Sequence, residues 1–252
     1  MTAASLESKH REEYTRRLKR AMARNQFIAP LLEADKRISA VQTTHELIAL
    51  ISDEDADMRS SAVWLLGRIG GNEAAKALGR VAEYSDDPDL RASAADAMSC
   101  IRTKQSGAIL RRLLTDSPIE KVRERAASSL RFHKATPATT DALISVLLNR
   151  SETPYVREMV AEALQFHPEG KVVPAVEQVL DDPAPTVRYW AISALSYTKA
   201  VHLIQRLEEI ARTDHAEASD PDLNMPDYMP PKVSEIAAEV AERIRRNVTQ
   251  LE

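Results

Sequence analysis

Aromatics are scarce in this chain, at 4%, and it has only six glycines in 252 residues. Both shortages argue against β structure and suit helices packed through small residues. A single cysteine, Cys100, rules out an internal disulfide and fits a reducing compartment. No run approaches the 18 or so apolar residues of a membrane span, and the first residues lack the apolar core of a signal peptide. Positive charge is not in excess: the net charge is −4, so the chain as a whole has no basic footprint for nucleic acid. What remains is 44% hydrophobic residues, enough for a continuous core, and the expected setting is cytoplasmic.

What is present is a repeat. Five copies of one short unit centre on Arg59, Arg91, Arg123, Arg157 and Arg188, at spacings of 32, 32, 34 and 31 residues. An apolar residue precedes each Arg, and Leu or Met follows seven places later. A period of this length with helical chemistry in both halves predicts stacked helix pairs. The first helices carry apolar pairs at Leu47/Leu50, Leu78/Val81, Leu110/Leu113, Ile144/Leu147, Val176/Val179 and Leu203/Leu207. Turns with proline follow: Asp87-Pro88, Ser117-Pro118, Thr153-Pro154, and Pro183 with Pro185. Proline suits the first turn of the second helix, where its missing N–H would have no partner anyway. Asp, Ser or Thr beside it can cap that helix. Gly67 to Gly71 reads as a helix end with a glycine cap, not as a phosphate loop.

The predicted architecture is all-α, an α-solenoid of about six antiparallel helix pairs with helical caps at both ends. Residues 1–38 form the first cap: a basic helix over 4–24 and a short apolar helix near Phe27–Leu32. The basic helix holds Lys9, Arg11, Arg16, Arg17, Lys19, Arg20 and Arg24, with Glu12 and Glu13 placed for i,i+4 pairs. Residues 39–252 form the repeat stack. Its sixth unit is interrupted by an acidic, proline-rich loop, 214–231, with four prolines and five acids. A last helix over 232–248 then serves as the closing cap.

Along each second helix, an arc gathers the positions one, two, five and nine after the Arg. These 20 positions hold six of the chain's 11 aromatics. Trp64, Phe132, Phe166, Tyr189, Trp190 and Tyr197 are therefore candidate anchors for a partner on a concave face, Trp64 and Trp190 foremost. The alternative for Phe132, Phe166 and Tyr197 is that they close the bottom of each unit as core. Asp96, Glu124, Glu158 and Glu162 share the arc with Arg68 and Arg125. A mildly acidic groove of this kind selects a basic or apolar segment of another protein and disfavours phosphate backbones. His133 and His167 occupy equivalent places, but no Cys or carboxylate stands at ligand spacing beside them, so no metal is expected. No nucleophile with a base at a recognisable spacing appears, which points away from an enzyme, and no cofactor is expected.

Asp87-Pro-x-Leu-Arg91, Ala194-Leu-x-Tyr197 and Leu65-Leu-Gly-Arg-Ile-Gly70 resemble the HEAT-repeat superfamily, and in particular its short units of the phycobilisome-lyase type, over residues 40–212. The resemblance implies that Arg59, Arg91, Arg123, Arg157 and Arg188 form a structural ladder, each tied to an Asp in a neighbouring turn. It implies a non-catalytic scaffold: an adaptor, a regulator, or an inhibitor such as an immunity protein. Two other readings stay open. One is a phycobilin-lyase-like handler of a chromophore; the other is nucleic-acid binding through the basic N-terminal helix. Deoxyhypusine hydroxylases, enzymes built on similar repeats, place His-Glu pairs at the starts of their inner helices. The matching positions here, from Ser60-Ser61 to Tyr189-Trp190, hold none, and the one His-Glu, His45-Glu46, lies on a first helix. HEAT-like DNA glycosylases need a basic concave face, which the acidic arc does not supply.

Overall fold

Proline and aspartate set where the second helices begin. In the computed structural model, which describes residues 44–219 and 231–249, one such helix starts at Pro88 and is capped by Asp87, whose carboxylate accepts from the N–H of Asp89 and Leu90. Asp55 and Thr153 cap two others in the same way. Proline stands at the first turn of helices starting at Pro137, Pro154 and Pro185. Pro118 is the exception: its helix starts at Glu120, and Ser117 supports the turn by accepting from Ile119 N–H instead.

Twelve α-helices result among the described residues, six pairs in chain order. They are α1 (Thr44–Leu50), α2 (Ala56–Ile69), α3 (Gly71–Tyr84), α4 (Pro88–Ala97), α5 (Lys104–Asp116), α6 (Glu120–Leu130), α7 (Pro137–Leu148), α8 (Pro154–Ala163), α9 (Glu169–Glu177), α10 (Pro185–Ala194), α11 (Ile204–Thr213) and α12 (Val233–Thr249). No β-strand occurs among the described residues; one isolated bridge joins Glu217 to Lys232. The predicted N-terminal cap and the start of the stack at 39 fall before the described residues, and most of loop 214–231 also lies outside them.

Two compact units divide between Leu113 and Leu114. In the first, α1 packs on α2, α3 on α4, and second helix α2 on second helix α4. Gly67 makes the last contact possible: a Cβ there would stand 2.7 Å from the Ala97 carbonyl oxygen. Gly70, at φ 75°, ends α2 in the left-handed region that favours glycine. Ala62, Leu66, Leu78, Ala94 and Met98 are fully buried here.

In the second unit α6, α8, α10 and α12 stack side by side, and α7, α9 and α11 lie outside them. Val122, Leu130, Val156, Val160, Val187 and Leu195 are fully buried along that stack. Each such side chain is stabilising by roughly 1.5–3 kcal/mol, so the apolar rows, not the surface ion pairs, hold the helices together. α12 pairs with α11 and packs on α10, which makes it the second helix of the sixth pair. The acidic loop is thus an enlarged inter-helix turn. Its ends are tied where Ala218 N–H donates to the Pro231 carbonyl and Val233 N–H to that of Ala216.

Candidate functional site

The repeated Arg sits one turn into each second helix, and its guanidinium reaches the turns around it. Arg59 donates to the Asp53 and Glu54 carbonyls and stands 4.0 Å from the Asp87 carboxylate. Arg91 donates to the Ala82 carbonyl. Arg123 makes a two-pronged pair with Glu152, at 2.7 and 2.8 Å, and holds the Ser117 carbonyl. Arg157, 3% exposed, joins the Leu147 carbonyl to Asp182, which is 1% exposed and 2.5 Å away. Arg188 pairs with Asp214 through two bonds and also donates to the Asp182 carbonyl. The Arg123 hydrogen bonds hold the Glu152 carboxyl below the ordinary glutamate value. Burial pushes Asp214 up, but bonds from Arg188 and the Ala216 N–H outweigh it and leave its pKa lowered.

At the N-terminal ends of α6, α8 and α10, beside the segment 217–219, lies a groove of about 670 Å³. Pro154, Tyr155 and Pro185 are part of its lining, together with Glu120, Glu124, Glu158 and Glu217 and one cation, Lys121. Glu124 and Glu158 correct the sequence expectation. Placed on an exposed arc, they are 7% exposed in the fold. Arg125 pairs with Glu124 at 3.4 Å. Sequence reasoning passed over Glu120, Pro154, Tyr155 and Glu217. The available signal was i,i+4 spacing, which puts Glu120 with Glu124, and Pro154 with Glu158, on one helix face.

The aromatic positions separate into two groups. Phe132, Phe166 and Tyr197, at the far ends of α6, α8 and α10, are 45%, 62% and 61% exposed, so they do not close the core. Phe166 and Tyr197 stack with ring centres 5.5 Å apart. Arg131 lies over Phe132 and pairs with Glu162, which ties down one proposed charge selector. Trp64, Tyr189 and Trp190 are half-buried. Tyr189 meets Trp190 edge to face, and Arg68 sits over Trp64. Asp96 is exposed on α4 in the first unit. Trp64 and Asp96 belong to the first unit and the other eight proposed partner residues to the second. Glu124 and Glu158 belong to the groove, while Phe132, Glu162, Phe166 and Tyr197 line the opposite ends of the same helices.

His167 accepts from or donates to the Thr140 hydroxyl at 2.7 Å, and burial lowers its pKa. No group of three or more His, Cys, Asp or Glu side chains suited to a metal ion occurs among the described residues. No helix among them is long and apolar enough to cross a membrane.

A family model for HEAT repeats matches residues 44–131 and 140–218. Among solved structures, the complex of CpcE and CpcF of phycocyanin lyase from Nostoc sp. PCC7120 is similar, at 25% identity over 75% of this chain and 75% of that chain, with a TM-score of 0.54. An engineered protein, 19% identical over 81% of this chain and 97% of its own, with a TM-score of 0.50, shares the fold. No curated protein sequence matches the chain.

Proposed function

Because the chain belongs to the HEAT-repeat family, we propose that it is a protein-interaction scaffold without catalysis, one that holds a basic or apolar segment of another protein along the second helices of residues 114–252. The groove beside Tyr155 carries this reading: a lining of four carboxylates to one lysine, with two prolines and a tyrosine, favours a cationic, partly apolar segment. The exposed Phe166–Tyr197 pair supports a longer contact, since exposed aromatics with few charges among them have the composition of an interface anchor. An adaptor, a regulator and an inhibitor such as an immunity protein are all consistent with such a surface.

The test uses a labelled basic amphipathic peptide and fluorescence anisotropy at low salt. Glu120→Lys with Glu217→Lys, both exposed, should weaken binding about tenfold or more and leave the helical signal unchanged. Phe166→Ala with Tyr197→Ala should cost a longer partner about 2 kcal/mol. Equal affinity for wild type and the Glu120/Glu217 variant would remove the groove from the reading.

The phycocyanin lyase similarity favours a second reading, handling of a bilin chromophore. Co-expression with bilin synthesis separates the two: a chromophore handler purifies with visible absorbance, and a protein scaffold purifies colourless.

A further inference from the structure

Each residue of the exposed aromatic row has a counterpart in the groove eleven positions earlier. Lys121 precedes Phe132, Tyr155 precedes Phe166 and Thr186 precedes Tyr197 in this way, and all three earlier residues line the groove. Eleven residues make about three turns, so each pair lies along one side of its helix, about 16–18 Å apart. Met159 and Trp190, four residues on from Tyr155 and Thr186, are half-buried. Since α6 packs on α8 and α8 on α10, the groove and the aromatic row are the two ends of one stripe. The ends differ in charge. The groove lining carries four carboxylates to one lysine. At the other end Arg131 already matches Glu162, and Lys134 and Lys199 stand exposed two residues beyond Phe132 and Tyr197, so a second cation gains nothing there. The Phe166–Tyr197 stack, 62% and 61% exposed, offers ring surface instead.

We infer that this stripe takes a single short, extended segment of another protein, cationic over the groove and aromatic or apolar over the Phe166–Tyr197 stack. The inference rests on the reading of the groove as a site for basic segments and adds the direction, the second anchor and the spacing. An extended chain rises about 3.1–3.4 Å per residue, so it covers the span in about five residues. One chain that joins two modest contacts gains over either contact alone only where its length matches the distance between them. The stripe therefore selects its partner by the separation of the two parts as well as by charge.

Polyproline serves as the ruler for the test. Labelled peptides with Lys-Arg-Lys at one end and Trp at the other, joined by one, four or ten prolines, hold the two parts about 6, 16 and 34 Å apart. Fluorescence anisotropy measures each peptide against full-length wild type, a Phe166→Ala/Tyr197→Ala variant and a Glu120→Lys/Glu217→Lys variant, after circular dichroism establishes equal helix content. The four-proline peptide should bind wild type at least tenfold tighter than the other two. Phe166→Ala with Tyr197→Ala should remove that advantage and leave the one-proline peptide unchanged. Glu120→Lys with Glu217→Lys should weaken all three about tenfold or more. If the three peptides bind wild type alike and all weaken in the Glu120/Glu217 variant, the groove reading stands and the two-ended stripe falls. A spacing preference that survives Phe166→Ala with Tyr197→Ala also overturns the stripe, because the stack is then not the second anchor. If no peptide responds to the Glu120/Glu217 variant, both readings fall.

Discussion

Arg59 in the first unit and Arg157 in the second hold the same place in the repeat and live in different surroundings. The Arg157 side chain is 4% exposed and lies 2.5 Å from a buried Asp182, whereas Arg59 is 25% exposed and 4.0 Å from an Asp87 that is 41% exposed. The motif fixes which way the guanidinium points. The neighbouring turn fixes what that is worth, because a charge removed from water needs its partner far more than one left in it.

The largest expected effect comes from cutting the buried rung. Arg157→Ala leaves the Asp182 carboxylate inside the protein with only the Ala184 N–H, and strands the Leu147 carbonyl. The loss should be about 3–5 kcal/mol, read as a fall in urea midpoint. Replacing both partners, with Arg157→Met and Asp182→Asn, should recover most of it, since no uncompensated charge is left. If the double variant were as unstable as the single one, packing would be the explanation and not charge.

The intermediate rungs sharpen the comparison through pH. Glu152 and Asp214 are both held below their ordinary values by the fold. A carboxylate with a lowered folded pKa binds its proton more readily when unfolded. Its contribution is complete above the ordinary carboxylate range and is lost as pH falls below about 4 toward the folded value. The urea midpoint of wild type should therefore drop between about pH 4.5 and 3, and Arg123→Met with Arg188→Met should flatten that drop while costing about 1–3 kcal/mol at neutral pH. A double variant with an unchanged acid limb would show that these pairs do not set it.

The period, the helical class and the Arg ladder's positions were legible because each copies a local chemical requirement: an apolar face, a first-turn proline, a capping Asp or Thr. Burial was less legible. Glu124 and Glu158 fall on the arc that a single helix would leave open, yet the fold buries them. The role of α12 was hidden for a related reason: the long loop after Thr213 breaks the period, although the pairing with α11 resumes beyond it. Tyr155 and Glu217 come from different pairs and meet at one groove, which no spacing within a single repeat reveals.

The smallest effect is the one that can break the comparison. Arg59→Ala removes two hydrogen bonds to the Asp53 and Glu54 carbonyls and a long contact to Asp87. Asp87 is already engaged as the cap of α4 and is partly in water, so losing a distant cation leaves it little worse off. The two carbonyls sit in a surface turn, where water takes over as the donor. The cost should be about 1 kcal/mol or less and should shrink further in 0.5 M salt, whereas the Arg157→Ala cost should hardly respond, because the Debye length acts on exposed charges and not on a sealed pair. If Arg59→Ala proved as damaging as Arg157→Ala and equally deaf to salt, the rungs would be equivalent, and the ladder would act by pinning turn geometry at every repeat whatever its burial.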